Sequence, residues 1–352
     1  MKNMAVCAAL FALAATACGK SEKSSTDKPA EPSPTQPTEQ AGEPPLEPAG
    51  SVPAARDPRI VELLAAGGDC EWNAIGLTTC DTASKLRKLA FEAQSDSALA
   101  ASCVAALKDD DPKVRGLAAS CVAGFNDATR GPHLAAGLDA VEAERKPEVR
   151  NAIACAFSGG NAREAGVEDR VIALVSKLAS APETEHTASC LFDSMFPQYL
   201  MAGTAPPSKA AGDLALSYLG RSGRLQQRAF DAVTLMKDRM PEVCAALEEV
   251  IKGGGDWAQA VDAMARFDAG CSAKLDTAIV AMASAMNENK YNTSEYSATR
   301  ALLRRVPLTK EQVATLKKAS RTLAKKAQGV FQKGAKEIAD KLAKYEPPAQ
   351  KE

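Results

Sequence analysis

"DPKVRGLAASC" (Asp111–Cys121) returns as "KPEVRNAIAC" (Lys146–Cys155) 35 residues later. A third proline, Pro182, extends the register by another 35. A proline at a helix start loses nothing, because the first helical N–H has no partner and the ring presets φ. Asp111 is a good N-cap, whereas Lys146 and Ala181 are not. Val114 and Val149 then face a core, and Arg115 and Arg150 are free to reach acids on a neighbouring unit. Repetition at 20 to 50 residues is the mark of stacked supersecondary units, none of which buries its apolar face alone.

Composition agrees with helices. Hydrophobic residues make up 45% of the 352, alanine leads them, and aromatics are only 5%. Small helix formers favour close-packed helices over sheets. The net charge of −1 gives no global field to attract nucleic acid, so none is expected as a partner. The charge is uneven: residues 310–352 carry eleven Lys/Arg against five Asp/Glu, while 19–57 carry four against seven.

"SALAASCVAALKDDDPKVRGLAASCVAGF" (Ser97–Phe125) pairs an apolar helix with an Asp/Pro turn and a helix opening on Val-Arg. This resembles the HEAT-like repeats, in their short bilin-lyase-type form. "KPEVRNAIACAF" repeats the second half, and "APETEHTASCLFDSMF" (Ala181–Phe196) keeps the proline and "ASC" but loses Val-Arg. The expected fold is all-α, an α-solenoid of about seven antiparallel helix pairs over residues 58–309. The pairs fall near 82–94 with 96–108, 112–125 with 131–142, 147–158 with 168–179, 183–196 with 208–220, 223–236 with 240–252, and 256–268 with 272–287, the seventh pairing 294–305 with a long terminal helix. Residues 310–352 read as that basic amphipathic capping helix and a short tail, which Gly329 and Gly334 break or bend. In the family the second helices line the concave face, so the resemblance implies binding roles for Lys177, Tyr218 and Glu249.

The front of the chain is an address. "MKNMAVCAALFALAATACGK" has one lysine, an apolar run too short to span a bilayer, then small residues. "ATAC" (Ala15–Cys18) resembles the bacterial lipobox, although Ala15 replaces the usual Leu. The resemblance implies a signal peptide over 1–17, lipidation (palmitate among the acyl groups) at Cys18, and a membrane contact through that lipid. Gly19 is not the Asp of inner-membrane retention, which implies the outer membrane facing the periplasm. The alternative is ordinary cleavage that leaves Cys18 unmodified. The Pro/Glu/Ser/Thr-rich segment through residue 57 is too poor in apolar residues to fold, so 18–57 reads as a disordered tether.

Eight cysteines remain beyond Cys18: Cys70, Cys80, Cys103, Cys121, Cys155, Cys190, Cys244 and Cys271. An even number in an oxidising compartment suggests disulfides, with 105 possible connectivities. Cys103 and Cys121 fall at similar heights on antiparallel neighbours, and Cys155 and Cys190 are level on successive first helices. Cys244 and Cys271 lie near the starts of successive second helices, and Cys70 with Cys80 closes a local loop. The alternative is eight small buried hydrophobes. With no C-x-x-C and only His133 and His186, both read as surface residues, no metal is expected.

No H-E-x-x-H, Walker loop, G-x-S-x-G or G-x-G-x-x-G occurs, so no catalytic residue or cofactor is expected. "DDD" at 109–111 reads as helix capping, and Asn292-Thr293-Ser294 matches a glycosylation triplet at chance odds. The functional expectation is a non-enzymatic, lipid-anchored periplasmic scaffold holding another envelope protein. The alternatives are a lyase-like or accessory repeat protein acting on a bound small molecule, and a structural spacer between membrane and cell wall.

Overall fold

The computed structural model describes residues 56–76, 80–196 and 206–347. The expected signal peptide, Cys18 and nearly all of the expected tether lie outside them. The described residues form α-helices and short 3-10 turns, with no strand among them.

The chain enters through α1 (Pro58–Ala65), capped by the Asp57 carboxylate, which accepts from the Arg59 N–H. Seven helix pairs follow: α2 (Asp81–Glu92) with α3 (Ser97–Ala105), α4 (Pro112–Val122) with α6 (Leu134–Ala143), α7 (Pro147–Ala156) with α8 (Glu168–Leu178), α9 (Glu185–Asp193) with α10 (Lys209–Tyr218), α11 (Arg224–Val233) with α12 (Met240–Lys252), α13 (Trp257–Ala265) with α14 (Leu275–Glu288), and α15 (Thr293–Arg305) with α16 (Lys310–Lys326). A four-residue α5 (Asp127–Arg130) joins α4 to α6, and α17 (Val330–Lys344) closes the stack. First helices pack on first helices in one layer, and α14 packs on α12 and α16 in the other. One continuous apolar core runs between the layers.

Local chemistry sets the starts. Pro112 and Pro147 occupy the first turns of α4 and α7, and Asp111 caps α4. Pro182 instead opens a 3-10 turn, and α9 begins only at Glu185. Thr309 and Gln312 form a reciprocal capping box, whereas Asp256 accepts from the Gln259 N–H without a return bond. Asn292, the first residue of the chance triplet, caps α15 in a second capping box with Glu295.

The C-terminal basic stretch is two helices, because Ala327 is extended and Gly329 has φ +60°. Gly334 does not break α17; it packs against Tyr296, where an added Cβ would stand 3.1 Å from the ring's Cε1.

Cations reach back from unit to unit along both layers. Arg228 meets Asp193 at 3.3 Å and Arg266 meets Asp231 at 3.4 Å. In the second layer Arg170 meets Asp139 at 2.8 Å, Arg239 meets Asp213 at 2.6 Å, and Lys274 meets Glu248 at 2.9 Å. The exposed pairs among them, such as Arg170 with Asp139 and Arg266 with Asp231, contribute little stability each. They fix register where apolar packing is forgiving.

Candidate binding surface

Counting by 35 along the first helices puts Gly116, Asn151 and His186 in one column, on α4, α7 and α9. Residues 72–76, just after Cys70, lie across that column. Trp72 sits over Gly116, where a Cβ would stand 2.5 Å from the indole. Asn151 donates through Nδ2 to the Ala74 carbonyl at 2.7 Å. The Thr187 hydroxyl donates to Asn151 Oδ1, which fixes the amide's orientation. His186 Nε2 donates to the Ile75 carbonyl at 3.0 Å. Gly76, at φ +78°, presses so close that a Cβ would come within 2.4 Å of the Ala152 nitrogen. The first-helix face therefore holds a backbone turn, closed by the Gly76 N–H on the Asn73 carbonyl at 2.9 Å, through two side-chain donors on successive repeats, Asn151 and His186.

Four disulfides frame this arrangement: Cys70–Cys80, Cys103–Cys121, Cys155–Cys190 and Cys244–Cys271, with Cα separations of 5.3, 6.0, 4.8 and 5.4 Å. The first closes the docked loop. Cys155–Cys190 staples α7 to α9 beneath it, and a closed loop of 35 residues stabilises by roughly 3–4 kcal/mol in the chain-entropy model.

Cys155, His186 and Cys190 bring two sulfurs and a ring nitrogen within 4.8 Å of one another, as a soft-metal site would. Their chemistry is otherwise committed. The sulfurs are joined, so no thiolate is offered. Arg224 donates to His186 Nδ1 at 2.7 Å, which leaves the ring proton on Nε2 and directs it to Ile75. Burial, then the Arg224 charge, pushes the imidazole below its ordinary value, consistent with a neutral ring. These residues do not fit a metal in this state. His186 is thus half-buried and structural, correcting its reading as a surface residue.

Arg224 belongs to the same network. Its backbone N–H donates to Glu185 Oε1 at 2.7 Å, so a carboxylate on α9 caps α11. Gly223, at φ +98°, lets the chain turn there.

Two hollows accompany the surface. A cleft of about 210 Å³ is lined by Phe192, Phe196, Asp193, Arg228, Asp231 and Arg266, among others. Burial raises the Asp193 carboxyl to about 6, with Arg228 opposing and Asp231 adding to the rise. A larger groove of about 570 Å³ opens between the end of α3 and α6, bounded by Leu107, Pro112, Ala140, Arg115 and Glu144.

Glu144 anchors that groove's wall. Arg115 Nε and Nη2 donate to its two oxygens at 2.5 and 2.9 Å, and the N–H groups of Arg145 and Lys146 donate at 2.8 and 2.9 Å. Burial pushes the carboxyl up, but Arg115 and those N–H groups more than offset it, and the net shift is downward. The cap that Lys146 cannot supply to α7 thus comes from two residues earlier. Arg150, the counterpart of Arg115, finds Ala179 where Glu144 would be, and its buried Nε has no partner.

Of the binding residues implied by the family resemblance, Lys177 on α8 and Glu249 on α12 are exposed, Glu249 pairing with Lys252 at 3.0 Å. Tyr218 is corrected: it is 2% exposed, packed edge-on against Phe192 with Arg221 over its ring. It serves the core. The structure brings none of the three into a common site. The residues the sequence reading missed, Gly116, Asn151 and His186, share one column of the 35-residue period, and lining up the repeats would have exposed it. No known family model and no curated protein matches the chain.

Proposed function

We propose that the chain is a lipid-anchored, non-enzymatic scaffold of the periplasm whose HEAT-like array holds another envelope protein. The carrying observation is the docked loop. A first-helix face whose Asn151 and His186 donate to the Ala74 and Ile75 carbonyls supports this reading, because the same kind of donors on such a face suit a partner's backbone carbonyls. This moves the expected binding face from the second helices to the first. Lipobox-like "ATAC", the Pro-rich tether and the paired cysteines support an envelope address.

Cross-linking in cells, followed by pull-down and mass spectrometry, tests the partner. A scaffold enriches one envelope protein reproducibly, and recovery of only lipid and peptidoglycan supports a spacer instead. Labelling with a fatty-acid analogue tests the anchor: Cys18→Ala should abolish incorporation, and equal labelling of both forms rejects it.

A further inference from the structure

The groove between α3 and α6 is not used by the docked loop and carries a charge imbalance of its own. Leu107 and Ala140, 2% and 5% exposed, form an apolar floor with Pro112 and Ala143 beside them. Three acids and four cations line the rim. Each acid already has an arginine: Asp109 pairs with Arg56, Asp139 with Arg170 and Glu144 with Arg115. Of the cations, Arg115 is spent in that way, while Lys108, Arg145 and Lys146 make no ion pair among the described residues. Two of these three break a local rule. Arg145 and Lys146 immediately precede α7, whose N-terminus is already the positive end of its dipole. Cations there weaken the helix start, and departures from local preference concentrate where function demands them.

We propose that this groove binds an anionic amphiphile. Its apolar body rests on Leu107, Pro112, Ala140 and Ala143, and its carboxylate or phosphate is held by Lys108, Arg145 and Lys146. The volume, about 570 Å³, falls in the range of small-molecule sites, and an apolar cleft with a few convergent charges is their usual build. The inference stands apart from the scaffold reading, which concerns the Gly116, Asn151 and His186 column.

The test uses the full chain carrying Cys18→Ala, so that no acyl group of its own competes. Calorimetric titration compares decanoate, decyl phosphate, decanol and inorganic phosphate. Saturable one-to-one binding of decanoate or decyl phosphate is expected, at least tenfold tighter than decanol or inorganic phosphate. Lys108→Gln/Arg145→Gln/Lys146→Gln should weaken it tenfold or more without lowering the thermal midpoint, since none of the three side chains makes an ion pair among the described residues and two of them oppose the α7 dipole. Ala143→Phe, at an exposed position, should block the groove and abolish binding. Decanol binding as tightly as decanoate, phosphate binding as tightly as decyl phosphate, or a triple variant that binds unchanged would each overturn the proposal. Vesicles of phosphatidylglycerol separate the sources. Capture of vesicles as well as soluble amphiphile points to membrane lipid, and soluble amphiphile alone to a free acid. Capture of vesicles without soluble binding contradicts a groove.

Discussion

Glu144 shows how much one side chain can hold when it is desolvated and fully partnered. It joins the α3–α4 turn, through Arg115 and the Asp109 and Asp110 carbonyls that Arg115 also grips, to the start of α7. Glu144→Gln keeps the shape but leaves Arg115 facing an amide, and should destabilise by roughly 2–3 kcal/mol in urea titration. A loss under about 0.5 kcal/mol would show the pair to be incidental. Because the folded carboxyl is depressed, this stabilisation is present above its ordinary value near 4.5 and disappears as pH falls through the folded value. Asp193 has the opposite sign. Its folded value is raised from 3.8 to about 6, so the folded state holds the proton more tightly and stability declines as pH rises through that window. Asp193→Asn should therefore raise the urea midpoint at pH 7.5 and leave it unchanged near pH 3. Equal gains at both would remove desolvation as the cause.

At the scale of elements, the loop that follows Cys70 is the informative piece, because it shows the first-helix face holding backbone carbonyls through side-chain donors. Gly76 faces backbone rather than a side chain that can move away. Gly76→Ala should therefore lift the loop from α7 and α9 and expose Asn151, now 2% exposed. Trp72 emission should shift to the red, with a stability loss of about 2 kcal/mol. An unchanged spectrum and stability would mean that the loop is not seated as described. Little of this docking was legible in the sequence. "CEWNAIGLTTC" reads as a local loop, and its partners lie 77 and 111 residues away, beyond any periodic signal. Helix positions were legible, because Pro112 and Pro147 act within one turn. Pro182 was half legible: its ring presets φ, but the 3-10 turn that follows depends on packing.

Across the whole molecule, the sequence carries the architecture because a stack needs only a repeated rule: an apolar stripe, a turn, and another apolar stripe. That rule survives the loss of Val-Arg after the third proline, so seven pairs could be counted even where motifs fade. It does not say which face binds. The family resemblance implied a binding role for Tyr218, yet its place on α10 puts its ring inside. Surface roles depend on which side of each helix the curve exposes, and a single chain's period leaves that open. Three of the four disulfides encode the stack directly, since Cys103–Cys121, Cys155–Cys190 and Cys244–Cys271 join helices or turns that this order of units brings level, while Cys70–Cys80 closes a local loop. Peptide mapping of the unreduced protein by mass spectrometry is therefore the most direct test. The stacked array predicts Cys70–Cys80, Cys103–Cys121, Cys155–Cys190 and Cys244–Cys271. A different connectivity, or free thiols at Cys155 and Cys190, would contradict it.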